Sequence, residues 1–95
     1  MLLEWSVFAI ADRTAIFDYI EADSRNAAIM IDDRIEAAVE GLVSLPGMGR
    51  PGRIEGTREL VISRTPYIAA YRIEGDRIRI LRVLHGAQLW PEAMP

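Results

Sequence analysis

The feature that most constrains this chain is an apolar stripe between residues 28 and 45. Ala28, Ile31, Ile35, Ala38, Leu42 and Leu45 recur three or four positions apart, with Asp32, Asp33, Glu36 and Glu40 between them. Residues at this spacing share one side of an α-helix, and the acids take the wet side. The stripe predicts about five helical turns. It stops at Pro46-Gly47, because proline has no amide to continue the ladder. An earlier helix is read from about Ile10 to Ala22. There Ile10, Arg13, Phe17 and Ile20 form the stripe and Ile16 and Tyr19 widen it, while Asp12, Asp18 and Glu21 are expected to face water. Asp23 and Ser24 offer side-chain oxygens that cap a following helix, so the two helices should form an antiparallel hairpin.

Around that hairpin the periodicity changes from helical to two. In residues 2–8, Trp5 and Val7 alternate with Glu4 and Ser6, as in a strand with one buried face. Residues 46–52 hold three glycines and two prolines and read as a loop. Three further strand signals follow at 58–63, 67–73 and Arg77–His85, separated by a Thr65-Pro66 turn and a tight Glu74-Gly75-Asp76 loop. Local hairpins make those three strands a meander. The order β-α-α-β-β-β predicts one α+β domain over residues 1–95, with the helical hairpin covering one face of an antiparallel sheet. The other face is then open and carries arginines.

Composition narrows the chemistry. There is no cysteine, hence no disulfide framework or thiolate site, and the single histidine, His85, rules out a multi-histidine metal centre within one chain. No cofactor is called for. No apolar run approaches the roughly 18 residues of a membrane span, and residues 1–5 lack the basic start and long apolar stretch of a secretory signal. A cytoplasmic protein is expected. The net charge of −3 conceals an asymmetry: residues 1–48 carry −6 and residues 49–95 carry +3. All eleven basic residues are arginine, whose planar fork suits carboxylates and phosphates. A basic half points to an anionic partner, nucleic acid or an acidic peptide, although a pI near 5.1 opposes tight nonspecific nucleic-acid binding.

Several residues could carry function. Arg50 and Arg53 lie in a glycine-rich stretch that lacks phosphate-loop spacing, yet both could reach a phosphate backbone. His85, at the end of the last strand, is the one side chain that ordinarily exchanges a proton near neutral pH. Arg82 breaks the alternation of that strand. Either it lies on the covered face and needs a carboxylate from the acidic helices, or a bulge turns it to the open face. Trp90 either plugs the core edge or offers a stacking platform.

Four stretches in order carry a family resemblance: Leu45-Pro46-Gly47-Met48-Gly49-Arg50-Pro51, Gly56-Thr57-Arg58-Glu59-Leu60, Thr65-Pro66-Tyr67-Ile68 with Tyr71-Arg72, and Leu81-Arg82-Val83-Leu84-His85. Over its whole length the chain resembles toxins of the RelE/ParE superfamily from bacterial type II toxin–antitoxin systems. The resemblance implies a growth-inhibiting toxin neutralised by a cognate antitoxin. Its target is either DNA gyrase, bound without nuclease action in the ParE-like mode, or mRNA cleaved on the ribosome in the RelE-like mode. A degenerate, non-toxic interaction module is the third possibility. In the RelE-like mode His85 would transfer the proton and Arg82 or Arg53 would hold the scissile phosphate, because the position of the superfamily's phosphate-contacting arginine holds Ile68. That departure tilts the reading toward the ParE-like mode. Arg50, Arg58, Arg72 and Trp90 are then expected to meet antitoxin or target, with Arg58 and Arg72 together on the open face.

Overall fold

The structure, a computed structural model, describes residues 1–95. The chain runs β1 (Leu2–Trp5), α1 (Val7–Glu21), α2 (Arg25–Glu40), a single 3₁₀ turn (Gly41–Val43), β2 (Arg50–Pro51), β3 (Arg58–Val61), β4 (Tyr67–Glu74) and β5 (Arg77–His85). The five strands form one sheet in the order β1-β5-β4-β3-β2. The meander from β3 to β5 is antiparallel, as expected. The sheet as a whole is mixed rather than antiparallel, because the helical hairpin returns the chain so that β1 lies parallel to β5.

Ser6 decides where the first strand ends. Its backbone N–H bonds the Ile80 carbonyl, its Oγ donates to the Leu81 carbonyl at 2.8 Å, and the same Oγ accepts the Ala9 N–H at 3.0 Å. One serine thus closes β1 onto β5 and caps α1. The strand expected to reach residue 8 stops at Trp5, and Val7 is left 72% exposed in the first helical turn. The inward face of α1 therefore begins at Ala9, with Ile16 and Ile20 against the core, while Ile10 and Tyr19 are exposed.

Ser24 caps α2 by accepting the Ala27 N–H. The stripe of α2 holds at Ala28, Ile35 and Leu42, with Val39 buried beside them. It does not reach Leu45, which is 60% exposed: the α-helix ends at Glu40 and tightens into the 3₁₀ turn, which rotates the last position out of register.

Beneath the helices Ile35, Val39 and Leu42 meet Leu60, Ile62, Tyr67, Ala69, Tyr71, Ile78, Ile80 and Val83 from the sheet. The opposite face is not fully open. Ile68, Ala70 and Leu84 on that side are covered by Trp90, with Met94 packed against the cluster. The register of β4 and β5 shifts between Ala70, which faces Arg82, and Tyr71, which faces Ile80, so Leu81 is an inserted bulge residue.

The stretch at 46–52 contains the short strand β2 and is held in place. Tyr71 donates its hydroxyl to the Pro46 carbonyl at 2.7 Å and accepts the Gly49 N–H at 2.9 Å. A Cβ at Gly49 would fall 2.6 Å from that hydroxyl, so the close approach requires glycine.

Candidate functional site

The register sorts the charged residues by face, because residues opposite one another on adjacent strands point the same way. Glu59 faces Ala70, Arg72 faces Arg79, and Arg82 faces Ala70. With Arg50 opposite Glu59 and Glu4 opposite Arg79, these side chains share the face away from the helices. Arg58 does not. It stands opposite Tyr71, on the helix side, and its guanidinium donates to the Gly49 carbonyl at 2.7 Å. The expected pairing of Arg58 with Arg72 on one open face is therefore corrected.

Most arginines of the outer face are already satisfied by carboxylates. At one end Arg77 and Arg79 both bind Glu4, and Arg72 lies 3.9 Å from Glu74. At the centre Glu59, with its side chain 3% exposed, accepts from Arg50 at 3.2 Å and from the Arg53 backbone N–H at 2.7 Å and guanidinium at 3.1 Å. Burial alone would raise its pKa. The bonds from Arg53 and Arg50 outweigh burial and hold the carboxyl below its ordinary range. The Arg53 guanidinium also lies 3.6 Å from the centre of the Trp90 ring. Trp90 is only 9% exposed, and its indole N–H donates to the His85 carbonyl at 3.3 Å. Of its two expected roles it fills the structural one, as a cover for Ile68 and Leu84, and its ring is not a free stacking platform.

The ambiguity of Arg82 resolves as a combination of both alternatives. The bulge at Leu81 turns it to the outer face, and a helix carboxylate still reaches it: Asp12 accepts from Arg82 Nε at 2.7 Å and Nη2 at 3.0 Å. Those hydrogen bonds raise the Arg82 pKa despite burial. Asp12 also accepts the Val83 N–H at 2.9 Å, so it caps the edge of β5 beyond the end of β1. It was expected on the wet side of α1; it faces the sheet.

His85 stands opposite Tyr67, on the helix side, with ring centres 5.6 Å apart in an edge-on contact. Its Nδ1 accepts the Ala87 N–H at 3.0 Å. The structure therefore brings Arg50, Arg53 and Trp90 together around Glu59, and it separates the His85 imidazole from Arg53 and Arg82. Sequence reasoning missed Glu59 and Asp12. The available signal was a lone acid immediately before the apolar run Leu60-Val61-Ile62 for the first, and an unpaired Arg82 four positions after Ile78 for the second. It also missed that Arg34, Arg58 and Arg64 are the arginines with no carboxylate partner.

The architecture is a helical hairpin laid on one face of a small mixed sheet, with a C-terminal segment folded over the other. Residues 3–90 match the family model described as the ParE toxin of the type II toxin–antitoxin system parDE. The chain is 44% identical over 92 residues to the Y4kP protein of Sinorhizobium fredii, covering 97% of this chain and 95% of that one. It is 36% identical over 85 residues to toxin RelE2 of Caulobacter vibrioides, covering 90% and 94%. Among solved structures, the chromosomal ParDE toxin–antitoxin system from P. aeruginosa superposes with a TM-score of 0.78 at 36% identity, covering 87% of this chain and 92% of that one. The chain belongs to the ParE toxin family and is the toxin of a type II toxin–antitoxin module. An antitoxin partner comes with that family. No helix of the protein is long and apolar enough to cross a membrane.

Proposed function

We propose that this toxin arrests growth in the ParE-like mode, by binding DNA gyrase as a protein target rather than by cleaving RNA. The observation that carries the reading is the dispersal of the groups a nuclease needs. Attack of a 2′-hydroxyl on phosphorus requires a base, an acid for the leaving oxygen and fixed donors for the developing negative charge, all within hydrogen-bond reach of one phosphate. Here one edge of the Arg82 guanidinium is held by both oxygens of Asp12, and Arg53 is bound by Glu59. His85 lies on the other side of the sheet with one ring nitrogen engaged. Position 68, where the superfamily resemblance places a phosphate-contacting arginine, is an isoleucine packed with Trp90. The chain's net charge of −3 adds an unfavourable field for a polyanionic substrate. Arg50 and Arg72, on the outer face, are paired with Glu59 and Glu74 but keep part of each side chain exposed, where a protein partner can meet them.

The test is a titration of purified toxin into a gyrase supercoiling assay, run beside a translating extract whose transcript ends are mapped. Loss of supercoiling at toxin concentrations that leave transcripts whole supports the reading. Transcripts cut within codons, with supercoiling undisturbed, would overturn it.

A further inference from the structure

Residues 86–95 form no helix or strand, yet they are pinned to the end of β5. The pin is His85. Its backbone N–H donates to the Gln88 side-chain oxygen at 2.8 Å, and its carbonyl accepts the Gln88 N–H at 3.1 Å and the Trp90 indole N–H at 3.3 Å. Its Nδ1 accepts the Ala87 N–H at 3.0 Å. From Ala87 onward, every hydrogen bond of this strap goes to His85. Only the bond to Ala87 depends on protonation, because an imidazolium has donors and no acceptor.

The strap leaves β5 over the outer face. The Gly86 N–H donates to the Pro66 carbonyl at 2.8 Å, and a Cβ at Gly86 would fall 3.3 Å from Ile68 Cδ1. Trp90 then closes over Ile68, Ala70 and Leu84, with Met94 against the cluster, while Leu89 just before it is 95% exposed. The strap therefore covers the apolar patch with one aromatic ring.

The neighbours of His85 leave it as the group that titrates near neutrality. Tyr67 of β4 meets the ring edge-on, and burial, followed by Tyr19 of α1, holds its phenol above the ordinary range. Asp12 of α1 reaches the same strand edge but is taken up by Arg82 and the Val83 N–H. Glu92, the acid of the strap, is exposed. No carboxylate forms an ion pair with the imidazole.

We propose that residues 86–95 are a proton-released strap: protonation of His85 sets two donors, Nδ1–H and the Ala87 N–H, against each other and lifts Trp90 from the outer face. Proton uptake and closure exclude one another, so acidification shifts the population toward the open form. Opening uncovers Ile68, Ala70 and Leu84 and takes the Trp90 ring away from the Arg53 guanidinium, 3.6 Å from its centre in the closed form. A contact surface of apolar floor and arginine rim is thereby withheld until the strap opens. The device is independent of whether the toxin's target is gyrase.

Hydrogen exchange on the purified wild-type toxin across about pH 8 to 5, with each rate corrected for its intrinsic pH dependence, tests the proposal. Glu59 stays charged in this window, because its pKa is held low by its arginines. Protection of the Ala87 amide should fall at least about tenfold on acidification, while amides in the centre of β4 hold theirs. Fluorotryptophan labelling follows the cover itself: the Trp90 resonance should move toward its unfolded-chain position over the same range, and that of Trp5 should stay. In His85→Gln, which keeps an acceptor that does not protonate, both changes should vanish. Constant Ala87 protection in the wild type would overturn the proposal. So would a loosened Ala87 beneath an unmoved Trp90, or a His85→Gln variant that responds to pH as the wild type does.

Discussion

Asp12 and Arg82 lie 70 positions apart in sequence and are joined by two hydrogen bonds, at 2.7 and 3.0 Å. The contact fastens α1 to β5 just past the bulge, where β1 no longer covers the strand edge. Both side chains are partly shielded from water, so the pair resists solvent screening better than an exposed one. Asp12→Ala should destabilise the fold by about 1–3 kcal/mol, because it strands the guanidinium and the Val83 N–H together. A double-mutant cycle with Arg82→Ala, read by urea unfolding, should show a coupling of about 0.5–3 kcal/mol. Additive single effects would mean that the pair carries no energy.

Glu59 gives the protein an acid-sensitive clamp. Its folded pKa is depressed, so its stabilisation is fully present above the ordinary carboxylate range and is lost as the pH falls through the lower, folded value. The melting temperature should therefore drop on acidification below that range. Glu59→Gln should lower stability at neutral pH and flatten the acid limb. If the variant and the wild type lose stability in parallel on acidification, other carboxylates control the limb.

The end of α2 can be tested with two leucines three residues apart. Leu42 is fully buried, and Leu42→Ala should cost about 2–5 kcal/mol in thermal or urea unfolding. Leu45 is exposed, and Leu45→Ala should stay within about 0.5 kcal/mol of wild type. Equal losses would show that the helical stripe continues past the 3₁₀ turn to Leu45.

Tyr71 should be sensitive to loss of one oxygen. Tyr71→Phe keeps the ring in the core but removes both the donor to Pro46 and the acceptor for Gly49. A loss of about 1–3 kcal/mol is expected, since the Gly49 N–H is left without its partner. Faster amide exchange across residues 46–52 should accompany it, and wild-type exchange there would show that the stretch is held by something else.

The elements legible in the sequence are those set by local periodicity. The stripe of α2 and the alternation of β5 each follow from the spacing of neighbouring residues, and Arg77–His85 forms the strand expected of it. What was not legible depends on contacts far apart in sequence. Val7 and Phe8 fit a strand pattern as well as a helical one, and only the bond from Ser6 to Leu81 decides between them. Asp12 reads as a solvated acid until β5 is placed beneath it. The parallel pairing of β1 comes from the crossover, not from any residue in β1. The charge count was correct, but the reading of a free arginine face was not. Glu59, Glu4 and Asp12 neutralise most of that face from within, which no count of charges per half reveals.

The most direct test of the account is the toxicity of His85→Gln, measured as growth arrest on induction, with antitoxin binding as the check on folding. Glutamine can still accept the Ala87 N–H, but it cannot exchange a proton as imidazole does. If His85 were the general acid of a nuclease, its loss would slow cleavage by about 10²–10⁴-fold. The account predicts a variant that folds, binds antitoxin and stays substantially toxic. A folded, antitoxin-binding variant that no longer arrests growth, alongside broken mRNA in cells expressing the wild type, would contradict it.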